Sequence, residues 1–360
     1  MINARNLWIG VMAGWLGVMS LAAQSHKDVL RRTDSTFFQT EEARRVGEQV
    51  LLYQRTTGGW PKNIDMAAPL SGEQRAAVLQ ARGRRNDSTT DNGATTQQMA
   101  FLARLYQAQP QDDYRHAFCR AVEYLLSGQY ENGGWPQFWP ENRGYQVHIT
   151  YNDDAMVNTL RLLRDIAEQR EPYGGALTPD SLRQRAQAAF RKGVECILAT
   201  QIRVNGEPTV WCQQHDRVTL LPAGARSYEL PSFCAAESAA IVRLLMEIPE
   251  PDERIRAAVR GAMNWFTAHQ IAGFRYERAA GDSRLIPDST AGPLWARFYD
   301  LEHAEPFFCD RDGIPRRRLE DIGQGRRGGY AWYTTRPASL FPLYEQWQNH
   351  FSLSPAKNGK

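Results

Sequence analysis

Cysteine is scarce in this 360-residue chain: five residues, Cys119, Cys196, Cys212, Cys234 and Cys309, none in the close pairs of a zinc site. Isolated thiols of this kind read as small buried hydrophobes. Excess charge of one sign is also missing. Forty-three Lys and Arg against 40 Asp and Glu give a net +3, which offers no broad electrostatic case for nucleic acid. Strand signals are confined to 218–221, 274–277 and 329–333, which suit short ladders at loop edges and exclude a central sheet. The sole long apolar run, 7–23, is short for a membrane span. With Arg5 ahead of it and Ser20-Leu21-Ala22-Ala23 at its end, it reads as an export signal over residues 1–25. The expectation is therefore a secreted or periplasmic protein with no stable membrane association and one domain over 26–360. HExxH, GxSxG, P-loop and DxDxDG patterns are all missing.

What the chain does contain is a repeat. Gly58-Gly59-Trp60-Pro61-Lys62-Asn63 returns 75 residues later as Gly133-Gly134-Trp135-Pro136-Gln137-Phe138, and Trp211 follows after a further 76. Each Trp follows a helix-like apolar run and precedes a loop and another such run, the mark of a helical repeat array. Helix starts are written at Thr40-Glu41-Glu42, Ser71-Gly72-Glu73-Gln74, Thr178-Pro179-Asp180 and Pro251-Asp252-Glu253. Met99, Leu102 and Tyr106 make one helical stripe, with Leu105 beside it. An array of this kind presents its long loops on one face, and Trp60 and Trp135 are expected there as stacking platforms for sugar rings.

Three acidic clusters precede helix-like runs: Asp91-Asn92, Asn152-Asp153-Asp154 and Tyr228-Glu229. One alone reads as an N-cap. Three on one face point to a hard cation, because Ca²⁺ takes carboxylate and amide oxygens and tolerates ligands from separate loops. The 76 residues between Asp153 and Glu229 match the repeat and suggest related positions on successive hairpins. Arg226 lies in a Gly-bearing turn beside Glu229, in the same loop layer as the acids, where an Arg usually serves as an ion pair or a solvated charge. Lys62 and Arg311 are further cations in loops.

GGWPKN, DNGATT, ITYNDDAMVNTL, GARSYELPS, RDG and GYAWY, in that order from about Leu51 to Leu343, resemble the calcium-dependent pectate lyases of polysaccharide lyase family 10. The resemblance implies an all-α, (α/α)3 toroid-like barrel with short β segments in its loops, and eliminative cleavage of α-1,4-polygalacturonate. It further implies that Asp91, Asn92 and Asp153 hold Ca²⁺, that Arg226 abstracts the C5 proton, and that Lys62 and Arg311 bind substrate carboxylates. The Asp153–Asp154 doublet offers two carboxylates without choosing between them, and a monomer is expected. The chemistry is sound on its own terms: the enediolate formed by removing a proton beside a carboxylate is a dianion, and fixed cations neutralise it where it develops. The strain on the assignment is Arg226, since a free guanidinium has a pKa above about 12. Two other readings compete, an inverting glycoside hydrolase using Asp91 with Asp153 or Glu229, and a non-catalytic glycan binder using Trp60, Trp135 and Trp139.

Overall fold

A computed structural model describes residues 28–279 and 281–352, so the export signal expected at 1–25 lies outside the described residues. Ten helices are present among them: α1 (Glu41–Tyr53), α2 (Gly72–Ala81), α3 (Thr96–Ala108), α4 (Asp112–Ser127), α5 (Ala155–Ala167), α6 (Asp180–Thr200), α7 (Ala235–Met246), α8 (Glu253–Ala268), α9 (Gln324–Gly328) and α10 (Phe341–Ser352). Their starts follow the caps. Thr40 Oγ1 accepts from Ala43 N at 3.2 Å, Ser71 and Gln74 form a reciprocal capping box, and Asp252 accepts from Ile255 N at 2.9 Å. The start expected at Thr178 moves. Pro179, extended at φ −59° and ψ 150°, is itself the cap residue of α6, and Thr178 Oγ1 is buried without capping anything.

Three helical hairpins, α3/α4, α5/α6 and α7/α8, stack side by side. Helices α3, α5 and α7 pack as one layer and α4, α6 and α8 as a second, with α1 against α3 and α4 at one end. The architecture is the expected all-α toroid, decorated by two-stranded ladders of which Phe274–Ala279 with Asp282–Pro287 is the longest. Residues 218–221 form a turn instead of a strand, because Asp216 Oδ1 accepts from the backbone of Val218 and Thr219 at 2.9 and 2.8 Å. The apolar stripe of α3 is Met99, Leu102 and Leu105, all fully buried, with Tyr106 only half-buried. One continuous core joins Val29 to Leu340. All five cysteines are free. Among the described residues, no helix is long and apolar enough to cross a membrane.

The tryptophan repeat proves to be a device of the core. Trp60, Trp135 and Trp211 are 0–1% exposed, and each indole Nε1 donates at 2.7 Å to a carbonyl near the end of the preceding helix: Val50, Leu125 and Ile197. Trp295 is a fourth member, bonded to the Phe266 carbonyl at 2.9 Å. Trp60 and Trp135 therefore offer no ring face to a sugar, which corrects their expected role. Trp139 is buried as well, stacked on Tyr124 at 4.2 Å. A second repeat accompanies the first. Gln54, Gln129 and Gln201 are each placed just after a helix, and each donates through Nε2 to two carbonyls, one in the following loop and one on the next outer helix. The pairs are Gly58 and Ala117 (both 2.8 Å), Gly133 and Ala189 (3.0 and 2.8 Å), and Thr209 and Ala258 (2.8 and 2.9 Å). Gly133 is needed at its turn: its φ is +93°, and a Cβ there would lie 2.0 Å from the Lys192 carbonyl. Trp135→Ala is expected to lower unfolding free energy by about 3–5 kcal/mol in denaturant titration, the cost of a large core cavity. A loss below about 1 kcal/mol would contradict the packing role.

Candidate active site

Three loops, one ahead of each of α3, α5 and α7, form the walls of a polar pocket of about 220 Å³ lined by Lys62, Asp91, Asn92, Gln137, Tyr145, Asn152, Asp153, Gln213, Arg226 and Glu229, among others. A larger hollow of about 560 Å³ lies elsewhere, beside the Phe274–Ala279 hairpin. Its one charged lining side chain, Arg275, is already paired with Glu277 and Asp288, so it lacks the convergent polar groups of a reactive site.

The first wall is held under backbone strain. Thr95, β-branched and at φ +62°, accepts from Trp60 N at 3.0 Å and donates to the Thr89 carbonyl at 2.8 Å. Thr89 Oγ1 in turn accepts from Asp91 N at 3.0 Å. Asp91, 1% exposed, takes Lys62 Nζ and Gln137 Nε2 (2.8 Å) on Oδ2 and leaves Oδ1 without a partner. Asn92 is more exposed and bonds Asn63 at 3.2 Å.

The second wall carries the doublet, with Asp153 at φ +52° and Asp154 at +59°. The two carboxylates part company here. Both oxygens of Asp154 are taken by Arg336, whereas Asp153 lines the pocket and accepts from Asn152 Nδ2 at 2.9 Å. Burial, and then the neighbouring charge of Asp91, push the Asp153 carboxyl up to about 6.

The third wall is the 225–229 turn, closed by Ala225 N to the Glu229 carbonyl at 2.9 Å. Arg226 meets Glu229 side-on, Nε donating to Oε2 at 2.7 Å and Nη2 to Oε1, while its backbone N donates to Oε2 at 3.1 Å. Tyr330 OH donates to the same carboxylate at 2.8 Å. Burial alone would raise the Glu229 carboxyl, but these bonds and the Arg226 charge hold it below the usual carboxylate range. Reciprocally, Glu229 drives the Arg226 guanidinium further above its ordinary value. The guanidinium lies 4.9 Å from the Tyr228 ring centre and 5.7 Å from that of Tyr330. No hydrogen bond reaches Nη1 from the described residues, so that edge remains for a ligand.

Two sequence expectations change. Glu229 is not the third counterpart of Asp153. The shared bonds Thr89 N to Trp60 O, Thr150 N to Trp135 O and Cys234 N to Trp211 O set the register, and counting three residues on gives Asn92, Asp153 and Glu237. Glu237 is buried and neutralised by Arg297, whose Nη2 also donates to Asn152 Oδ1 at 3.1 Å. Arg311 is not among the lining residues; it sits on an exposed turn whose Gly313 approaches the Ser227 carbonyl, at the rim beside the third wall. The same register places Lys62 in a series with three residues that sequence reasoning missed. The position two after each repeat Trp supplies Lys62, Gln137, Gln213 and Arg297, of which the first three line the pocket and the last stands behind it. That signal was present in GGWPKN and GGWPQF. Tyr145 had no comparable sequence marker, and Tyr330 lay within GYAWY without being read as a site residue.

Could the pocket hold a metal? Among the described residues no three His, Cys, Asp or Glu gather for one. Asp91 and Asp153 supply two carboxylates, however, and the orphaned oxygens Asp91 Oδ1, Gln137 Oε1 and Gln214 Oε1 are buried around them. An oxygen-only set with two facing carboxylates fits a hard cation.

Comparison with known proteins agrees with this picture. The chain matches the pectic acid lyase family over residues 54–341. No curated relative matches it significantly. It is similar to the family 10 polysaccharide lyase of Cellvibrio cellulosa at 32% identity and TM-score 0.79, covering 91% of this chain and 96% of that one. It is equally similar to an aspartate-to-alanine mutant of that lyase in complex with trigalacturonic acid, covering 90% and 96%. Sequence and fold agree over nearly the whole described chain, which places it in the pectic acid lyase family: it is a pectate lyase of polysaccharide lyase family 10, a carbon–oxygen lyase acting on polysaccharides.

Proposed function

We propose that this lyase cleaves α-1,4-polygalacturonate by calcium-dependent β-elimination, with Arg226 taking the C5 proton. The observation that carries the reading is the meeting, in one small polar pocket, of the Asp91–Asp153 carboxylate pair with the free edge of Arg226. Asp91, Asn92 and Asp153 would hold the calcium ion, which when bound neutralises the uronate carboxylate. Lys62, paired with Asp91, and Arg311 at the rim supply further positive charge to carboxylates along the polymer. Arg226 is aimed by Glu229 and presents Nη1 to the ring. The Glu229 pairing opposes a neutral guanidine; burial presses in the opposite direction, and positive charge at Lys62 and at the cation site would add to it, so that Arg226 would give up a proton to solvent before taking the one from C5. Export through the 1–25 segment, a single catalytic domain over 26–360 and a monomeric state complete the proposal.

Purified protein should produce rising ultraviolet absorbance from the C4–C5 double bond on polygalacturonate, and a rate roughly ten- to a hundredfold lower on highly methyl-esterified pectin. Each esterified carboxylate removes a charged hydrogen bond of about 1.5–3 kcal/mol. Saturated products would favour hydrolysis by the same two carboxylates. Equal rates on the two substrates would show that Lys62 and Arg311 do not read carboxylates.

A further inference from the structure

Among the four residues placed two after a repeat Trp, three are engaged with protein acids: Lys62 and Gln137 with Asp91, and Arg297 with Glu237. Gln213 is the exception. It is 1% exposed and lines the pocket, yet neither Nε2 nor Oε1 has a partner among the described residues. Its position is nonetheless fixed. The Gln213 carbonyl accepts from Tyr151 N at 2.9 Å and Asn152 N at 3.0 Å, which ties it to the wall bearing Asp153, and Trp211 is anchored through both its nitrogens. A buried primary amide with both functions open costs stability, and a rigid backbone cannot turn it elsewhere.

We infer that Gln213 is a specificity-determining residue that grips the adjacent C2 and C3 hydroxyls of the uronate ring, its oxygen accepting from one and its NH₂ donating to the other. The inference rests on the polygalacturonate reading of this pocket and extends it. Elimination of alternatives leads there. A carboxylate would use only the donor and a cation only the acceptor, and both are already answered by Lys62, Arg226, Asp91 and Asp153. In an α-1,4-linked uronate the ring groups left over are two neighbouring neutral hydroxyls, and a planar amide pairs with both. The pocket should accordingly reject sugars acylated at either oxygen.

The test compares wild type with Gln213→Leu on polygalacturonate and on its 2,3-O-acetylated form, with thermal unfolding measured alongside. Wild type should lose at least tenfold in kcat/KM on the acetylated polymer. Gln213→Leu should lose ten- to a hundredfold on the unmodified polymer and discriminate little between the two. Its thermal midpoint should hold or rise, because an apolar isostere replaces an unpaired amide. Wild-type activity and discrimination in Gln213→Leu would overturn the inference, as would a fall in midpoint that accounts for the lost activity. A wild-type enzyme that cleaves polygalacturonate while Gln213→Leu is unchanged defeats this inference alone; a wild-type enzyme inactive on polygalacturonate defeats the underlying reading as well.

Discussion

Arg226→Ala should remove elimination from this enzyme, by about 10²–10⁴-fold or to background, the span that a positioned proton-transfer group contributes. The loss should fall on kcat, since the proposed carboxylate binders Lys62 and Arg311 are left in place. Arg226→Lys should recover little. An ammonium lacks the planar fork that engages Glu229 with Nε and Nη2 while presenting Nη1, and it cannot hold the same edge toward C5. Stability must be followed separately, because removing Arg226 leaves Glu229 buried at 2% exposure with only Tyr330 OH and a backbone N–H as partners. An unpaired buried charge of this kind costs about 3–5 kcal/mol. The double variant Arg226→Ala/Glu229→Gln should restore the unfolding midpoint without restoring turnover. Turnover near wild type in either variant would remove Arg226 from the chemistry.

Chelation should have an effect of similar size, roughly a thousandfold or more, because a metal ion supplies several kcal/mol of charge stabilisation and each 1.36 kcal/mol is a factor of ten in rate. Ca²⁺ should restore activity better than Mg²⁺, which demands near-ideal octahedral geometry that ligands on separate loops do not impose. Asp153→Ala should raise the Ca²⁺ concentration needed for half activity. Asp154→Ala should not, since Arg336 occupies both its oxygens. Ca²⁺ should also raise the wild-type unfolding midpoint, growing with concentration as for any ligand that binds only the folded state. Full turnover in excess chelator, with metal content shown to be nil, would refute the calcium reading.

Much of this was legible in the residues, and the parts that were not share a cause. Caps at Thr40, Ser71 and Asp252 are local: a side chain and a nearby N–H decide them, so sequence spacing suffices. Asp91 and Asp153 could be named because several acidic clusters in loops ahead of helices point to a cation site, whereas the role of Arg226 came from the family resemblance alone. Trp60 and Trp135 were misplaced because an indole serves a core and a sugar platform equally well, and only the distant carbonyls of Val50 and Leu125 decide between them. Glu229 was taken as the counterpart of Asp153, a place that belongs to Glu237, for a related reason. The repeat is kept by a backbone bond to each Trp carbonyl, whereas the length of the loop after each Trp varies, so a fixed offset drifts. Thr178 shows the limit even of local signals, for a proline in extended conformation moved the helix start by one residue.

The Gln54, Gln129 and Gln201 amides give this architecture a further property. Each ties a loop to the next outer helix from below the active face, and none reaches the pocket. The scaffold is thus fastened at its base, and the connecting stretches above the fasteners are free to lengthen, shorten or change composition without loosening it. Divergence within such an array should concentrate in those upper stretches, and a loop transplanted between two members should arrive already aimed, its chemistry exchanged while the frame beneath it is inherited unchanged.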